Sequence, residues 1–452
     1  MKKKILVISV LCSSLLLNAS EIDDLKLQLK QQQKMINALT QRLDKLENKT
    51  QTTINQIVKQ DKQEKEKTIK QEYSAYSQAP EKNAKNASFS QKEYLPDIAL
   101  IINSSAVGRN IDNEAYSSYS MPGFVDSDPD KDIPFNKDRG FNFNYAEVAM
   151  SSAVDPYFDA FAIFHMSSEE FEVDEAYVVT RDMPNGLKVK AGKFKSAFGR
   201  YNEKHQHAWE FSEQPLLYAG FFGPEGIGDP GVQLQWVAPT DTYIMLGVEA
   251  MQGENEQSFG NDKGNNLYIA YAKASLDITD DTSVLAGVSY IHGENLTEDT
   301  NASGTIENIS GNTDIYAADL TLQTQLSSYS SLTWQSEYMY RDREKSIDTN
   351  SIGNLNAIKT GRQDGMYSQL VYKYNQNYAA GVRYDALMKN NLGDDNLDMY
   401  TAMLEYHPFE FSRLRLEYSL DKSKYFDGKQ KDVQQLMLEL NVAVGAHGAH
   451  SY

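Results

Sequence analysis

Tyr243-Ile244-Met245-Leu246-Gly247-Val248-Glu249-Ala250 is the stretch that decides the fold. In an extended segment successive side chains point to opposite faces, so Ile244, Leu246, Val248 and Ala250 share one face. Tyr243, Met245, Gly247 and Glu249 share the other. One face suits lipid or a core, and the other something wetter. The same alternation sets Leu187, Val189 and Ala191 against Lys188 and Lys190, and Leu414, Leu416 and Tyr418 against Arg413, Arg415 and Glu417. It also runs in steps of two from Leu436 to Val444. About sixteen such segments follow Pro96, each near the ~10 residues that a tilted strand needs to cross a bilayer.

The links between segments alternate as well. Short ones fall at 154–156, 184–186, 239–241, 280–281, 327–330, 375–377 and 408–410. Longer polar stretches lie at 108–139, 196–230, 252–265, 293–312, 342–364, 389–397 and 421–431, with a short link at 166–170 as the exception. Outer-membrane barrels have short periplasmic turns and long outer loops in this order. The expected fold is therefore an all-β transmembrane antiparallel β-barrel of about sixteen strands, a soluble β-sandwich array being the alternative. The aromatic Tyr452 at the end of the chain suits such a barrel.

Composition agrees. Only 40% of the 452 residues are hydrophobic, 28 Tyr stand against 3 Trp, and mean hydropathy is −0.56. No apolar run past the N-terminus nears the ~20 residues of a membrane helix, so insertion must come from strands.

Four regions are expected: 1–20, 21–72, 73–95 and 96–452. Lys2, Lys3 and Lys4 precede the apolar run from Ile5 to Leu17, with Ala19 and Ser20 behind it, the pattern of a secretory signal. Its removal takes away Cys12, the only cysteine, and with it disulfides, thiolate zinc sites and cysteine nucleophiles. From Ile22 a heptad register places Ile22, Leu29, Ile36, Leu43, Thr50 and Ile57 at one seam position. Leu25, Gln32, Leu39, Leu46, Thr53 and Gln60 occupy the other. A periplasmic coiled coil is expected there, with Ile and Leu mixed at both positions favouring a trimer over a dimer. Residues 73–95, rich in Ser, Asn, Lys and Gln, read as a linker.

The net charge is −19, or −22 without the signal, and residues 96–452 hold 27 basic against 52 acidic groups, or −25. That sign argues against nucleic acid, which clustered cations hold, and favours cations. The acids either focus cations at a pore mouth or merely solvate its rim.

Seven His are present. His205 and His207, two apart on an extended segment, share a face, with Glu203 and Glu210 nearby, and His447 and His450 form a second pair near the C-terminus. Under the expected topology the pairs lie on opposite sides of the membrane. The stretch 196–230 carries Gly223, Gly226, Gly228 and Gly231 with Pro224 and Pro230, and the aromatics Phe211, Tyr218, Phe221 and Phe222. Such a stretch takes a fixed path, either folded into the barrel as a pore-shaping loop or lying over its rim as a lid. The pore-loop residues are Phe198, Gly199, Arg200, Asn202, Trp209, Pro215, Gly223, Glu225, Gly226, Gly228 and Gly231. Catalytic signatures are not found: there is no Gly-x-Ser-x-Gly, His-Glu-x-x-His, P-loop or dinucleotide motif, and the chain is not expected to be an enzyme or to require a cofactor.

The run Lys193-Phe194-Lys195-Ser196-Ala197-Phe198-Gly199-Arg200-Tyr201-Asn202-Glu203-Lys204-His205-Gln206-His207-Ala208-Trp209 stands with Pro215 and with Phe222-Gly223-Pro224-Glu225-Gly226-Ile227-Gly228-Asp229-Pro230-Gly231-Val232. Together these resemble bacterial zinc-regulated outer-membrane barrels, as does the ending Gly445-Ala446-His447-Gly448-Ala449-His450-Ser451-Tyr452. The resemblance implies metal acquisition, zinc as ligand or substrate, and His205, His207, His447 and His450 at matching positions. A rod followed by a barrel also resembles siderophore porins of the legiobactin-uptake type. No globular plug precedes the barrel, so the departure from TonB-dependent transporters points to passive uptake of cations or metal chelates. The rival reading is a tether whose rod reaches peptidoglycan.

Overall fold

The structure is a computed structural model that describes residues 96–445, apart from 126–132, 169, 182, 260–265, 301–305, 344–345, 350–360, 389–395 and 410. The expected signal, coiled coil and linker, and the pair His447 and His450, lie outside the described residues.

Sixteen antiparallel strands form one closed barrel. In chain order they begin with β1 (Asp97–Arg109), β2 (Gly140–Ala153), β3 (Phe158–Met166), β4 (Phe171–Thr180) and β5 (Leu187–Lys195). There follow β6 (Gly228–Val237), β7 (Tyr243–Met251), β8 (Leu267–Thr279), β9 (Thr282–Thr300), β10 (Ile306–Gln325) and β11 (Ser331–Arg343). β12 (Ser346–Thr349) is a short piece that pairs with the outer end of β10 and is not a wall strand. The wall resumes with β13 (Gly361–Lys373), β14 (Tyr378–Leu387), β15 (Leu397–Phe409) and β16 (Ser412–Asp421). β17 (Tyr425–Phe426) and β18 (Lys429–Gln430) make a small separate hairpin, and β19 (Val433–Gly445) completes the barrel. Each wall strand pairs with its neighbour in sequence, and β19 pairs with β1 from Ala99↔Gly445 to Arg109↔Gln435, which leaves no free edge.

The alternation sorts side chains as the sequence predicts. Leu436, Leu438 and Leu440 of β19 are 43–52% exposed, whereas Gln435, Met437 and Glu439 between them are nearly inaccessible. On β16, Leu416 lies beside Leu438 on the outside and Arg415 beside Glu439 on the inside. Exposed Tyr and Phe gather near the short turns, among them Tyr157, Tyr329, Tyr374, Tyr378 and Phe409. Towards the other end, the outward hydroxyls of Tyr290, Tyr338 and Tyr384 donate to Asp314, Asp364 and Asp398 at 2.7–2.9 Å. An apolar belt between two aromatic girdles is the surface of a membrane barrel.

The seven short links stand where the alternation places them, but two long stretches are corrected. Residues 293–312 are mostly strand, because β9 and β10 continue pairing to Thr300 and from Ile306. Gly228 and Gly231 belong to β6 and not to the loop. A Cβ on Gly231 would stand 2.6 Å from the Ala250 carbonyl, so the small residue there serves the close approach of β7.

Candidate functional site

The segment 196–227 between β5 and β6 turns inward and builds a hydrophobic core inside the barrel. Phe198, Tyr201, Leu217, Tyr218, Phe221 and Phe222 pack against wall residues such as Ile291, Ile315, Met339 and Leu387. Phe198 meets Phe222 edge-on with ring centroids 5.3 Å apart, and Trp209 lies 4.9 Å from the Tyr201 ring. The sequence expectation of a loop inside the barrel is met, and the rim lid is excluded for this segment.

Asn202 holds the two ends of the loop together: its Nδ2 donates to the carbonyls of Ser196 and Ile227, and its Oδ1 accepts from Ile227 N at 2.9 Å. Gly226, at φ +70°, makes this closure possible, since a side chain there would collide with Asn202 Oδ1. Pro215 precedes the helix Leu216–Phe222, which ends at Gly223 with φ +73°. Gln214 donates to the Gly223 carbonyl at 2.9 Å.

From this frame the loop reaches the far wall. Glu337 of β11 accepts from Arg200 N at 3.0 Å, Tyr218 Oη at 2.8 Å and Tyr367 Oη at 2.5 Å. Gly199 N donates to Ser289 Oγ at 3.2 Å. Glu417 of β16 accepts from Ser212 N, and Asp385 of β14 from Leu216 N. Wall arginines answer the loop carbonyls: Arg413 donates to His207 O, Arg415 to Trp209 O, Arg383 to Glu213 O and Arg341 to Phe221 O. The loop is therefore an ordered partition, with several of its backbone amides and carbonyls held by the lumen wall.

On the near wall the contacts are ionic. His205 is buried, with Nε2 at 2.5 Å from Glu175 Oε1, and Nδ1 at 3.1 Å from Asp174 Oδ2 and 3.6 Å from Glu147 Oε2. Burial alone would push the imidazole pKa down, but the facing carboxylates of Glu147, Asp174 and Glu175 outweigh it and raise it to about 10. His205 is thus an imidazolium donating from both nitrogens at neutral pH. His207, with its ring 6.0 Å from that of His205, has Nδ1 3.4 Å from Glu147 Oε2. Of the acids that the sequence places near the pair, Glu203 faces Lys273 at 3.6 Å and Glu210 pairs with Lys204 at 2.6 Å. The acids that do meet His205 come from β2 and β4, thirty and more residues away in the chain, which local spacing does not reveal.

Above this cluster a cleft of about 70 Å³ remains open, lined among others by Glu147, His165, Glu172, Asp174, Lys195 and His205. At roughly 10–15 Å³ for each water centre it admits a few waters or a small ion and its shell, but not a large chelate. Burial pushes the Glu225 carboxyl in the same lining upward. No group of His, Cys, Asp and Glu among the described residues is already arranged as a metal site.

No family model matches the chain. An uncharacterized protein of Aquifex aeolicus (strain VF5) is 37% identical to it over 386 residues, 80% of this chain and 81% of the other. Among solved structures, the outer membrane channel DcaP of Acinetobacter baumannii is similar with a TM-score of 0.49 and 14% identity, over 78% of this chain and 99% of that one. An anion-selective porin from Comamonas acidovorans gives 0.48 and 10%, over 77% and 99%. The trimer form of OmpT, an outer membrane protein of Vibrio cholerae, gives 0.46 and 14%, over 77% and 99%.

Proposed function

This chain belongs to the same family as the Aquifex aeolicus protein, and we propose that it is a passive, restrictive outer-membrane channel that admits small cations past the loop 196–227. The observation that carries this reading is the partition itself. A polar, charged lumen is crossed by a loop tied to the walls on both sides, and an acid-lined cleft is left beside it. A plain membrane anchor gains nothing from lumen carboxylates, whereas a cleft in which the carboxylates of Glu147, Glu170, Glu172, Asp174 and Glu225 outnumber Lys195, Lys204 and the His205 imidazolium favours cations. Planar-bilayer conductance in a salt gradient tests it: cation-selective steps support the reading, and a silent or anion-selective bilayer overturns it.

The metal role belongs to the same proposal. A divalent ion, zinc foremost, entering between His205, His207 and the carboxylates of Glu147, Asp174 and Glu175 must displace the His205 proton, so zinc block of the current should strengthen as pH rises. Unchanged zinc block in the His205→Ala/His207→Ala double variant would sink the metal role. Trimerisation through the heptads of residues 22–60 completes the proposal, and is tested by the mass of the detergent-solubilised protein with and without that segment.

A further inference from the structure

Beneath the loop, the wall carries charges that the anchorage does not use. Lys273, Gly287, Asp319 and Glu337 stand in register across β8, β9, β10 and β11. Glu337 is taken by the loop, but Asp319, only 5% exposed, has no hydrogen-bond partner at either carboxylate oxygen. Its carboxylate lies over Gly287, where any side chain would collide with Oδ2. Lys273, itself buried, pairs with Glu203 of the loop at 3.6 Å; it and Arg200 act on Asp319 through their charge, without a hydrogen bond to it. Two residues on along the same face of β10, the buried Thr321 hydroxyl is unpartnered too. So is Nε of Arg200, whose backbone amide sits on Glu337, the cross-strand neighbour of Asp319.

Buried polar groups in folded proteins nearly always have partners, and an ionised carboxylate withdrawn from water without one is costly. Protonation would relieve Asp319 but leave Thr321 and Arg200 unmet. Five charges gather here, Arg200 and Lys273 positive and Asp319, Glu203 and Glu337 negative. Glu337 is taken by the donors of the loop and Lys273 pairs with Glu203, so the charged groups left with atoms that make no hydrogen bond are Asp319 and Arg200. One of each sign favours a solute that carries both signs over a simple cation or anion.

We propose that Asp319, Thr321 and Arg200 form a binding step in the lumen for a small zwitterion of the α-amino acid class. The ammonium group donates to the Asp319 carboxylate and Thr321 Oγ1, and the carboxylate accepts from the Arg200 guanidinium. The proposal rests on the channel reading and names a solute class that the bulk negative charge of the chain does not suggest.

Proteoliposome swelling with the full chain tests it, using L-alanine, the uncharged lactamide of equal size, and ethanolamine as an ammonium without a carboxylate. L-Alanine should enter several-fold faster than lactamide, up to about tenfold, the ratio that ~1.4 kcal/mol of preferential binding gives. Asp319→Asn and Arg200→Gln should each bring the ratio of L-alanine to lactamide entry to about one, and heat-modifiable gel mobility checks that each barrel is folded. Equal rates for L-alanine and lactamide in the unaltered protein overturn the proposal and leave the channel standing. A gain for ethanolamine alone, sensitive only to Asp319→Asn, also overturns it, in favour of a cation step. Entry of no solute removes the channel reading and the proposal together.

Discussion

The loop 196–227 is held on two sides by carboxylates that act differently. On the far wall Glu337, Glu417 and Asp385 accept from backbone amides and tyrosine hydroxyls. On the near wall Glu147, Asp174 and Glu175 face His205, whose positive charge is what they hold. An amide donor keeps its hydrogen at every pH of interest, whereas an imidazolium can lose its proton or yield its place to a metal. The far side therefore fixes the loop, and the near side is the one that conditions can release.

The largest effect is expected from removing the far hub. Glu337→Ala leaves the Arg200 amide and two buried tyrosine hydroxyls without their acceptor, at ~1–3 kcal/mol for each unsatisfied group. The loop should leave the lumen, with conductance rising and protease cleavage appearing within 196–227. An unchanged conductance and cleavage pattern would show that the far wall does not fix it.

Gly226→Ala comes next. It forces a side chain onto Asn202 Oδ1 at a left-handed backbone position and so opens the loop at its base. A cost of about 1–3 kcal/mol in urea unfolding is expected, with a smaller rise in conductance than for Glu337→Ala. Gly231→Ala strains the β6–β7 wall instead, so it should lower stability without raising conductance.

The near anchorage should respond to pH. The His205 pKa is raised in the folded loop, so its contribution is fully present below the ordinary imidazole value near ~6.5 and is lost as pH rises through about 10. Conductance should increase over that window in the unaltered protein and stay flat in His205→Ala. A flat profile in both would place the latch elsewhere.

The smallest effect, and one of opposite sign, is expected at Asp319. Because no hydrogen bond is lost and a costly buried charge is removed, Asp319→Asn should leave unfolding stability unchanged or slightly higher, in contrast to Glu337→Ala one strand away. A loss comparable to that of Glu337→Ala would mean that Asp319 has a structural partner.

Much of the fold was legible because a strand's side chains alternate without regard to what lies far off in the chain. Val248 and Glu249 announce their opposite faces from eight residues of sequence, and Gly226 and Pro215 announce a loop with a fixed path. The stretch 293–312 misled because its polar residues read as a loop, while pairing above the membrane needs no apolar face. Glu203 and Glu210 were the natural partners of the histidines by proximity in sequence, yet loop residues a few positions apart point to different walls.

The sequence by itself determined the barrel, its approximate strand number, the order of short and long links and the presence of a loop with a fixed path, since each follows from local period and turn chemistry. Only the tertiary structure decided that the loop enters the lumen, which carboxylates meet His205, which hold the loop backbone and which is left without a hydrogen bond. Those pairings join residues from 30 to more than 200 positions apart through strand register and barrel closure, and a one-residue slip in a register would turn its side chains to the other face and exchange the partners.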